Sequence, residues 1–293
     1  MIVAYSQRIS ADCMLAKRGA MPELPEVETV VRGLRQHAVG RTITAVQVAW
    51  HKSVEKPDID AFVAGLVGRR ITGADRRGKY ILLYMDNGMT MSIHLRMTGR
   101  LFILPDGSPI SPHTRLVWTL NDGYDIHFDD QRKFGRVALL KPADLAVLHT
   151  RLGPEPLDGL SPILLAERLH RRKIAIKSVL LDQGAVAGIG NIYADESLFY
   201  AGIHPQRPAD SLSPDEIARL HDAIRHVLAS AIKRHGTTLR DEQFKGLEGR
   251  MGDNQGYLAV FRCTGQPCPR CGTPIERIRL AGRSTHFCPR CQT

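Results

Sequence analysis

One short stretch of the sequence, MPELPEVE at residues 21–28, combines groups that can do chemistry. If Pro22 were an amino terminus, its secondary amine would have a pKa of about 8 and would be partly unprotonated near neutral pH. Such an amine can attack a sugar or carbonyl carbon and form a Schiff base, and the Glu23 carboxylate is directly beside it. The same residues also have a structural interpretation, in which Pro22 forms the entry turn of a helix and Glu23 and Glu26 complement the helix dipole. The stretch alone leaves both interpretations open.

The cysteines are distributed in a pattern typical of a metal site. Four of the six lie in the last 26 residues as two CPRC pairs separated by sixteen residues, namely Cys268, Cys271, Cys288 and Cys291. This is the spacing of a four-cysteine zinc site on two knuckles, and four thiolates leave no open coordination position. The sequence therefore predicts one structural zinc ion, which would contribute on the order of 10 kcal/mol to folding of this element. Cysteines reserved for a metal imply a reducing compartment, which we expect to be the cytoplasm.

Two further motifs are candidates for binding phosphate. Gly-rich residues 184–190 precede a predicted amphipathic helix. Backbone N–H groups at its start could bind a phosphate, and Asn191 could add a side-chain donor. A nucleotide-binding P-loop is excluded because no Gly-Lys-Ser/Thr follows. The basic turn RRGK at residues 76–79 precedes a strand and would place Lys79 at a sheet edge, although an ordinary solvent-exposed turn has the same composition.

The composition favours a protein that binds a polyanion. Forty Lys and Arg residues outnumber thirty Asp and Glu residues, which gives a formal net charge of +10 and a pI near 9.5. No apolar run approaches the roughly 18 residues that a membrane-spanning helix needs. At 293 residues the chain is long enough for two domains with their own cores.

The elements that must position these residues begin with a helix. Apolar residues from Leu24 to Leu34 recur at spacings of three and four, which places them on one helical face, and Gly40 is a plausible stop. Strand patterns then dominate, and Asn-Gly and Asn-Asp-Gly turns predict hairpins at 80–94 and 115–128. About seven short strands result, which predicts an antiparallel β-sandwich.

The composition changes at the break from Gly153 to Pro156, after which strand patterns give way to helical ones. Ser213 before Pro214 predicts the start of a long helix that Gly236 ends. The Gly-rich segment 236–257 predicts a mobile loop. We therefore expect an α+β protein with these parts: an extension at 1–21 that is absent from the active protein, a catalytic β-sandwich at 22–152, a helical domain at 153–262, and a zinc finger at 263–293.

Four blocks of this sequence resemble the formamidopyrimidine-DNA glycosylases, and the resemblance runs from Met21 to Gln292. The blocks are MPELPEVE at 21–28, HLRMTG and DDQRKFG at 94–99 and 129–135, GAVAGIGNIYADE at 184–196 continuing through 201–205, and the two CPRC pairs. The resemblance implies a sandwich that carries the catalytic helix, a helix-two-turn-helix domain and a C-terminal zinc-finger hairpin. It also implies damaged double-stranded DNA as the partner, a mobile loop over the flipped base, and a monomer.

The resemblance also implies roles for individual residues. Pro22 would attack C1′ of the damaged nucleotide and Glu23 would handle protons. Lys79 would contact DNA and donate a proton during strand cleavage, and Arg283 at the hairpin tip would bind a phosphate and support δ-elimination. The residues implied to fill the void left by the extruded nucleotide are Met97, Arg132 and Phe134. Those implied to make other DNA contacts are His113, Arg172 and Asn191. The family often has lysine where Arg240 stands, which leaves the base contacts of its loop open.

The implied activity is excision of oxidised purines followed by AP lyase cleavage through β,δ-elimination. An endonuclease VIII-like glycosylase for oxidised pyrimidines shares this fold and chemistry, and LPEVE at residues 24–28 favours the purine-acting branch. A non-catalytic zinc-finger DNA-binding protein, with Pro22 blocked by the residues before it, is the alternative of another class. Because a chain that starts at Met1 holds the Pro22 nitrogen in an amide, we expect translation to start at Met21 and this methionine to be removed.

Overall fold

The computed structural model describes residues 21–239 and 244–293. The first twenty residues of the predicted extension, and Arg240, lie outside the described residues. The helices are α1 (Leu24–His37), α2 (Ile59–Leu66), α3 (Pro142–Arg151), α4 (Pro162–Leu169), α5 (Ile176–Leu181), α6 (Asn191–Ala201) and α7 (Pro214–Lys233). The strands are β1 (Ile43–Val48), β2 (Val54–Lys56), β3 (Ile71–Arg77), β4 (Tyr80–Met85), β5 (Thr90–His94), β6 (Gly99–Pro105), β7 (Thr114–Leu120), β8 (Tyr124–Asp130), β9 (Arg136–Leu140), β10 (Glu276–Leu280) and β11 (Arg283–Phe287).

Helix α1 lies between the two main hydrophobic cores. Its first residue, Leu24, is fully buried in the core of the helical domain. Val27 and Leu34 are fully buried in the core of the sandwich. The predicted apolar face is confirmed, and its division between two cores places Pro22 and Glu23 at the junction of the two domains.

The N-terminal domain is a sandwich of two sheets that share one core. One sheet has the strand order β1-β7-β8-β6 and the other β2-β9-β5-β4-β3. The two predicted hairpins are confirmed, and their turns use Gly88 (φ 78°) and Gly123 (φ 84°) in the left-handed conformation that glycine adopts readily.

The predicted count of about seven strands is too low, because nine strands lie between residues 43 and 140, all of them described. Strand β2 is only three residues long, and β3 has the sequence ITGADRR, whose charged end hides the alternation. Strand β2 also pairs in parallel with β9, so the sandwich is antiparallel except at this edge.

The helical domain packs around α6. The predicted ends of α7 are confirmed: Ser213 and Glu216 form a reciprocal capping box, and Gly236 (φ 79°) follows the last turn. The prediction that α6 is amphipathic is wrong, since nine of its eleven residues are buried. Helix α6 contacts α5, α7 and β11, which leaves it no solvent face.

The finger at the C-terminus is an antiparallel hairpin. Strands β10 and β11 pair from Glu276 opposite Phe287 to Leu280 opposite Arg283. Ala281 and Gly282 make the turn with positive φ, so that Arg283 is exposed next to the tip as predicted. Within the described residues, no helix is both long and apolar enough to cross a membrane.

Candidate active site and DNA interface

The Glu23 carboxylate is buried against the N-terminus of α6. Its Oε2 accepts the backbone N–H of Gly190 at 2.7 Å and of Tyr193 at 3.3 Å, and its Oε1 accepts that of Ile192 at 2.9 Å. The sequence predicts a phosphate at the N–H groups of this helix start, but in the structure these groups bind a carboxylate of the same chain. Burial raises the pKa of Glu23, while the charge of Lys79 and the three N–H donors oppose the rise. Glu23 therefore holds a proton at higher pH than an exposed glutamate does.

A second buried carboxyl group, that of Glu26, fixes the backbone of Glu23. Its Oε2 accepts the Glu23 N–H at 2.9 Å, and its Oε1 accepts the Tyr193 hydroxyl at 2.5 Å and the Thr237 N–H at 2.7 Å. Burial and the Glu23 charge raise the pKa of Glu26 to about 7. Glu26, which the sequence suggested only as a partner of the helix dipole, thus connects α1 to α6 and to the segment after α7.

Lys79 is buried in the turn that joins β3 to β4, with 7% of its surface exposed. Burial lowers its pKa, the Glu23 charge opposes this effect, and the Arg283 charge reinforces it. Lys79, Glu23 and Arg283 therefore lie near enough for their charges to influence one another. Because Lys79 is buried, the interpretation of this turn as an ordinary solvent-exposed turn is excluded. The lowered pKa means that Lys79 gives up its proton more readily than an exposed lysine does.

Glu155 holds the backbone that precedes Lys79. Its carboxylate accepts the Gly78 N–H at 2.6 Å and pairs with the guanidinium groups of Arg76 at 2.6 Å and Arg77 at 2.9 Å. Arg77 also donates to the backbone of the same connection, at Leu152 and Gly153. The segment 153–156, where the composition changes, therefore anchors the Lys79 turn, and Arg76 and Arg77 of the turn are paired with protein groups.

A buried ion pair attaches the finger hairpin to the helical domain. Lys177 Nζ lies 2.7 Å from Asp195 Oδ1, and both side chains are almost fully buried. The same ammonium donates to the Ser284 carbonyl at 3.0 Å and to the Thr285 hydroxyl at 2.8 Å. Because these two residues directly follow Arg283, the contacts fix the guanidinium-bearing end of the hairpin beside the site.

The four cysteines predicted to bind zinc converge. All four Sγ atoms lie within 4.8 Å of one another, with 3.8 Å between Cys268 and Cys291 and 3.5 Å between Cys271 and Cys288. A tetrahedral zinc ion with Zn–S bonds of about 2.3 Å requires S–S separations of about 3.8 Å. The four thiolates therefore fit one zinc ion with a closed coordination shell, which makes its role structural.

Three residues predicted to fill a void in DNA form one cluster, in which Arg132 and Phe134 are exposed and Met97 is half-buried. Arg132 Nη1 lies 3.2 Å from Met97 Sδ, and the Arg132 guanidinium carbon lies 4.6 Å from the centre of the Phe134 ring. The Asp130 carboxylate holds the loop by accepting the N–H groups of Arg132 at 3.2 Å and Gly135 at 2.6 Å. Phe134 is 44% exposed, which excludes the core position that a lone phenylalanine would suggest.

The other residues predicted to contact DNA differ in whether the protein itself already binds their side chains. His113 is exposed in the loop before β7. Its backbone carbonyl accepts the N–H of Asp130, the last residue of β8, which directly precedes the loop of the void-filling cluster. Arg172 pairs with Asp182 at 2.8 Å, and Asn191 Nδ2 donates to the Ser284 carbonyl at 3.0 Å. Arg172 and Asn191 are therefore engaged by protein partners, and their contacts with DNA remain predictions.

Several residues that build the site were missed from the sequence. Lys177 carried a signal, since it is the only charge in the apolar stretch IAIKSVLL and a fully buried lysine needs a carboxylate partner. Glu155 and Asp195 carried none, because their partners are distant in sequence. In the predicted mobile segment, Phe244 and Leu247 are buried in the sandwich core.

Three family models match the chain in succession. The formamidopyrimidine-DNA glycosylase N-terminal domain matches residues 21–137, the H2TH domain of the same family matches 152–243, and a zinc finger found in FPG and IleRS matches 265–293. The formamidopyrimidine-DNA glycosylases of Chloroflexus aggregans and Herpetosiphon aurantiacus are 49% and 47% identical over 274 residues. These matches cover 93% of this chain and 98% and 100% of the two relatives.

Solved structures with the same architecture are complexes with damaged DNA. A complex of Lactococcus lactis Fpg with DNA that contains an abasic site has a TM-score of 0.87 and 36% identity, over 92% of this chain and 99% of that chain. MutM in complex with DNA that contains carbocyclic 8-oxo-G has a TM-score of 0.85 and 37% identity, over 93% and 100% of the two chains. The predicted α+β fold and the structural zinc site are confirmed.

Proposed function

The chain belongs to the formamidopyrimidine-DNA glycosylase family, and we propose that it excises 8-oxoguanine and formamidopyrimidines from double-stranded DNA and then cleaves the strand as an AP lyase. The observation that carries the proposal is the position of Glu23, whose buried carboxyl group directly follows Pro22 in a site that also contains Lys79. The net charge of +10 suits a polyanionic substrate. The two solved relatives hold DNA that contains carbocyclic 8-oxo-G, an oxidised purine, and DNA that contains an abasic site, the kind of site that an AP lyase cleaves.

In the proposed reaction the Pro22 nitrogen attacks C1′ of the damaged nucleotide, and the bond from C1′ to the base breaks. Glu23 donates a proton that assists departure of the base and opening of the sugar ring. The resulting Schiff base acidifies the 2′ hydrogen. Loss of that proton expels the 3′ phosphate in β-elimination, and δ-elimination then expels the 5′ phosphate.

The electrostatics of the site suit these roles. The raised pKa of Glu23 keeps a proton available for donation, and the lowered pKa of Lys79 allows the amine to exchange protons closer to neutral pH. Arg283 supplies a positive charge for a phosphate that leaves during elimination. The zinc ion supplies no chemistry in this scheme, because its four thiolates fill its coordination shell.

The mechanism requires a free amine on Pro22. The family match begins at residue 21, and a match of 274 residues covers 98% and 100% of the two relatives' own lengths. We infer that the active protein begins at Pro22, so that sequencing of the amino terminus reads Pro22-Glu23-Leu24. We further infer that it acts as a monomer in the cytoplasm, since one chain supplies the whole site and a reducing compartment keeps the four thiols available for zinc.

Borohydride trapping tests this function. The protein that begins at Pro22 is incubated with duplex containing 8-oxoguanine opposite cytosine, and the matched control is the 293-residue chain with its amino terminus verified as intact. We expect a covalent adduct with the first protein only, since the second holds the Pro22 nitrogen in an amide. An adduct only with an oxidised pyrimidine would assign the endonuclease VIII-like specificity. Binding without an adduct would show a non-catalytic protein, and an adduct with the intact chain would show that Pro22 is not the nucleophile.

A further inference from the structure

A group of cationic side chains around one indole ring lies next to the void-filling cluster. Lys133 Nζ lies 4.0 Å from the centre of the Trp50 ring, and Lys52 Nζ lies 5.9 Å from it. We call these three residues the Trp50 patch. Trp50 is half-buried after the end of β1, and both lysines are exposed, so the patch presents two positive charges to solvent. None of the functions assigned above uses it.

The backbone of the loop sends Lys133 towards the patch. Lys133 lies between Arg132 and Phe134 in sequence and has a φ of 61°, in the left-handed region. Arg132 and Phe134 contact each other and Met97, whereas Lys133 contacts Trp50. The loop at residues 131–135, between β8 and β9, thus sends side chains both to the void-filling cluster and to the Trp50 patch.

The charges of the patch are not neutralised within the described part of the protein. No ion pair joins Lys52 or Lys133 to a carboxylate there, whereas the exposed Lys56 pairs with Asp144 at 2.8 Å. The Trp50 ring attracts both ammonium groups by cation–π interaction and brings two like charges together. An anion bound beside this ring would be attracted by both charges.

We propose that the Trp50 patch binds a backbone phosphate of the duplex beside the extruded nucleotide. The proposal rests on the proposed function, because it assumes that the Arg132–Phe134 loop enters DNA. A loop that inserts side chains into a base stack brings its remaining residues to the sugar-phosphate backbone, and Lys133 is the residue between the two that insert. The patch would then fix the position of the loop on the duplex while carrying no information about the lesion.

Salt titrations of DNA binding test the contact. Binding of duplex with a tetrahydrofuran abasic analogue is measured by fluorescence anisotropy for wild type, Lys52→Gln and Lys133→Asn; asparagine tolerates the left-handed backbone at this position. Each variant should bind more weakly and lower the slope of log K against log salt by about one unit. The control Arg69→Gln removes one positive charge just before β3, at the opposite end of that strand from the Lys79 turn, and should keep the wild-type slope.

Tryptophan fluorescence gives a second readout. The chain has two tryptophans, and Trp118 is fully buried, so quenching by uncharged acrylamide reports on Trp50. We expect bound duplex to protect Trp50. Unchanged quenching in the complex, or wild-type slopes for both lysine variants, would overturn the proposal. Failure of the proposed function is distinguishable, because wild type would then bind undamaged and abasic-analogue duplex equally well.

Discussion

The Glu23 carboxylate accepts a 2.7 Å hydrogen bond from the backbone N–H of Gly190, a residue 167 positions away in sequence. The bond joins the residue beside the proposed nucleophile to the start of a helix in the other domain. The proposed acid is therefore oriented by the helical domain, and the relative position of the two domains determines the geometry of the site.

Gly190→Ala should inactivate the enzyme while the protein stays folded. An added Cβ would lie 2.3 Å from Glu23 Cδ, so the carboxyl group must move. We expect a loss of base excision of about 100-fold, the usual effect of displacing a catalytic group by roughly 1 Å. Single-turnover excision of 8-oxoguanine measures it, and Gly159→Ala is the control because its Cβ would meet no atom closer than 3.6 Å. Wild-type rates for Gly190→Ala would show that the orientation of Glu23 is not needed.

Lys177→Met should destabilise the protein strongly. It leaves the Asp195 carboxylate buried without its ammonium partner, which typically costs about 3–5 kcal/mol. Urea unfolding measures the loss. The matched control is Lys56→Met, which breaks the solvent-exposed pair with Asp144 and should cost far less, because solvent screens this pair. Equal effects of the two substitutions would contradict the structural role given to Lys177.

His94 should make the protein sensitive to mild acid. Its Nδ1 accepts the Arg96 N–H at 3.1 Å, and burial together with the charges of Arg96 and Lys79 lowers its pKa to about 3. The unfolded chain binds this proton with a pKa of about 6.5, so the free energy of unfolding falls as pH drops from about 6.5 to about 3. At pH 4.5, two pH units below the pKa of the unfolded state, the loss from His94 is roughly 2–3 kcal/mol.

The variant His94→Gln isolates this contribution, because glutamine can accept the Arg96 N–H and does not titrate. Its deficit in unfolding free energy relative to wild type should shrink by about 2–3 kcal/mol between pH 7 and pH 4.5. Urea titrations at the two pH values give the difference, which removes the contributions of groups that both proteins share. A deficit that is the same at both pH values would mean that His94 titrates normally in the folded state.

Loss of zinc should unfold the finger and leave the rest of the protein folded. Cys288→Ser removes one of the four ligands, and we expect zinc and DNA binding to be lost together while the sandwich keeps its near-ultraviolet circular dichroism. Arg283→Ala is the comparison, since it should retain zinc, bind DNA more weakly and lower the salt slope by about one unit. Metal analysis and anisotropy measure both variants. DNA binding that survives loss of the metal would make the finger dispensable.

Much of the architecture could be predicted from the sequence, because it depends on local patterns. The apolar spacing from Leu24 to Leu34 predicted α1, Asn87-Gly88 predicted a hairpin, and the two CPRC pairs predicted the zinc site. In each case the residues that determine the outcome lie within a few positions of one another, or in a spacing that a metal ion requires. The sequence did not predict β2 and β3, because β2 is short and β3 ends in charged residues. These segments are strands because they pair with neighbouring strands, and not because of their own pattern.

The tertiary structure decided which partner each polar group has. The Gly-rich turn predicted free N–H donors at the start of α6, but the group that accepts their hydrogen bonds, the Glu23 carboxylate, belongs to the other domain. Phe134 would be a core residue by its type, and only the fold of its loop exposes it beside Arg132. Lys177 is buried in the folded protein although it is charged, because it pairs with Asp195 of another helix. Residue type and local spacing determine what a group can do, whereas burial and long-range partners, which determine its pKa and its role, exist only once the chain has folded.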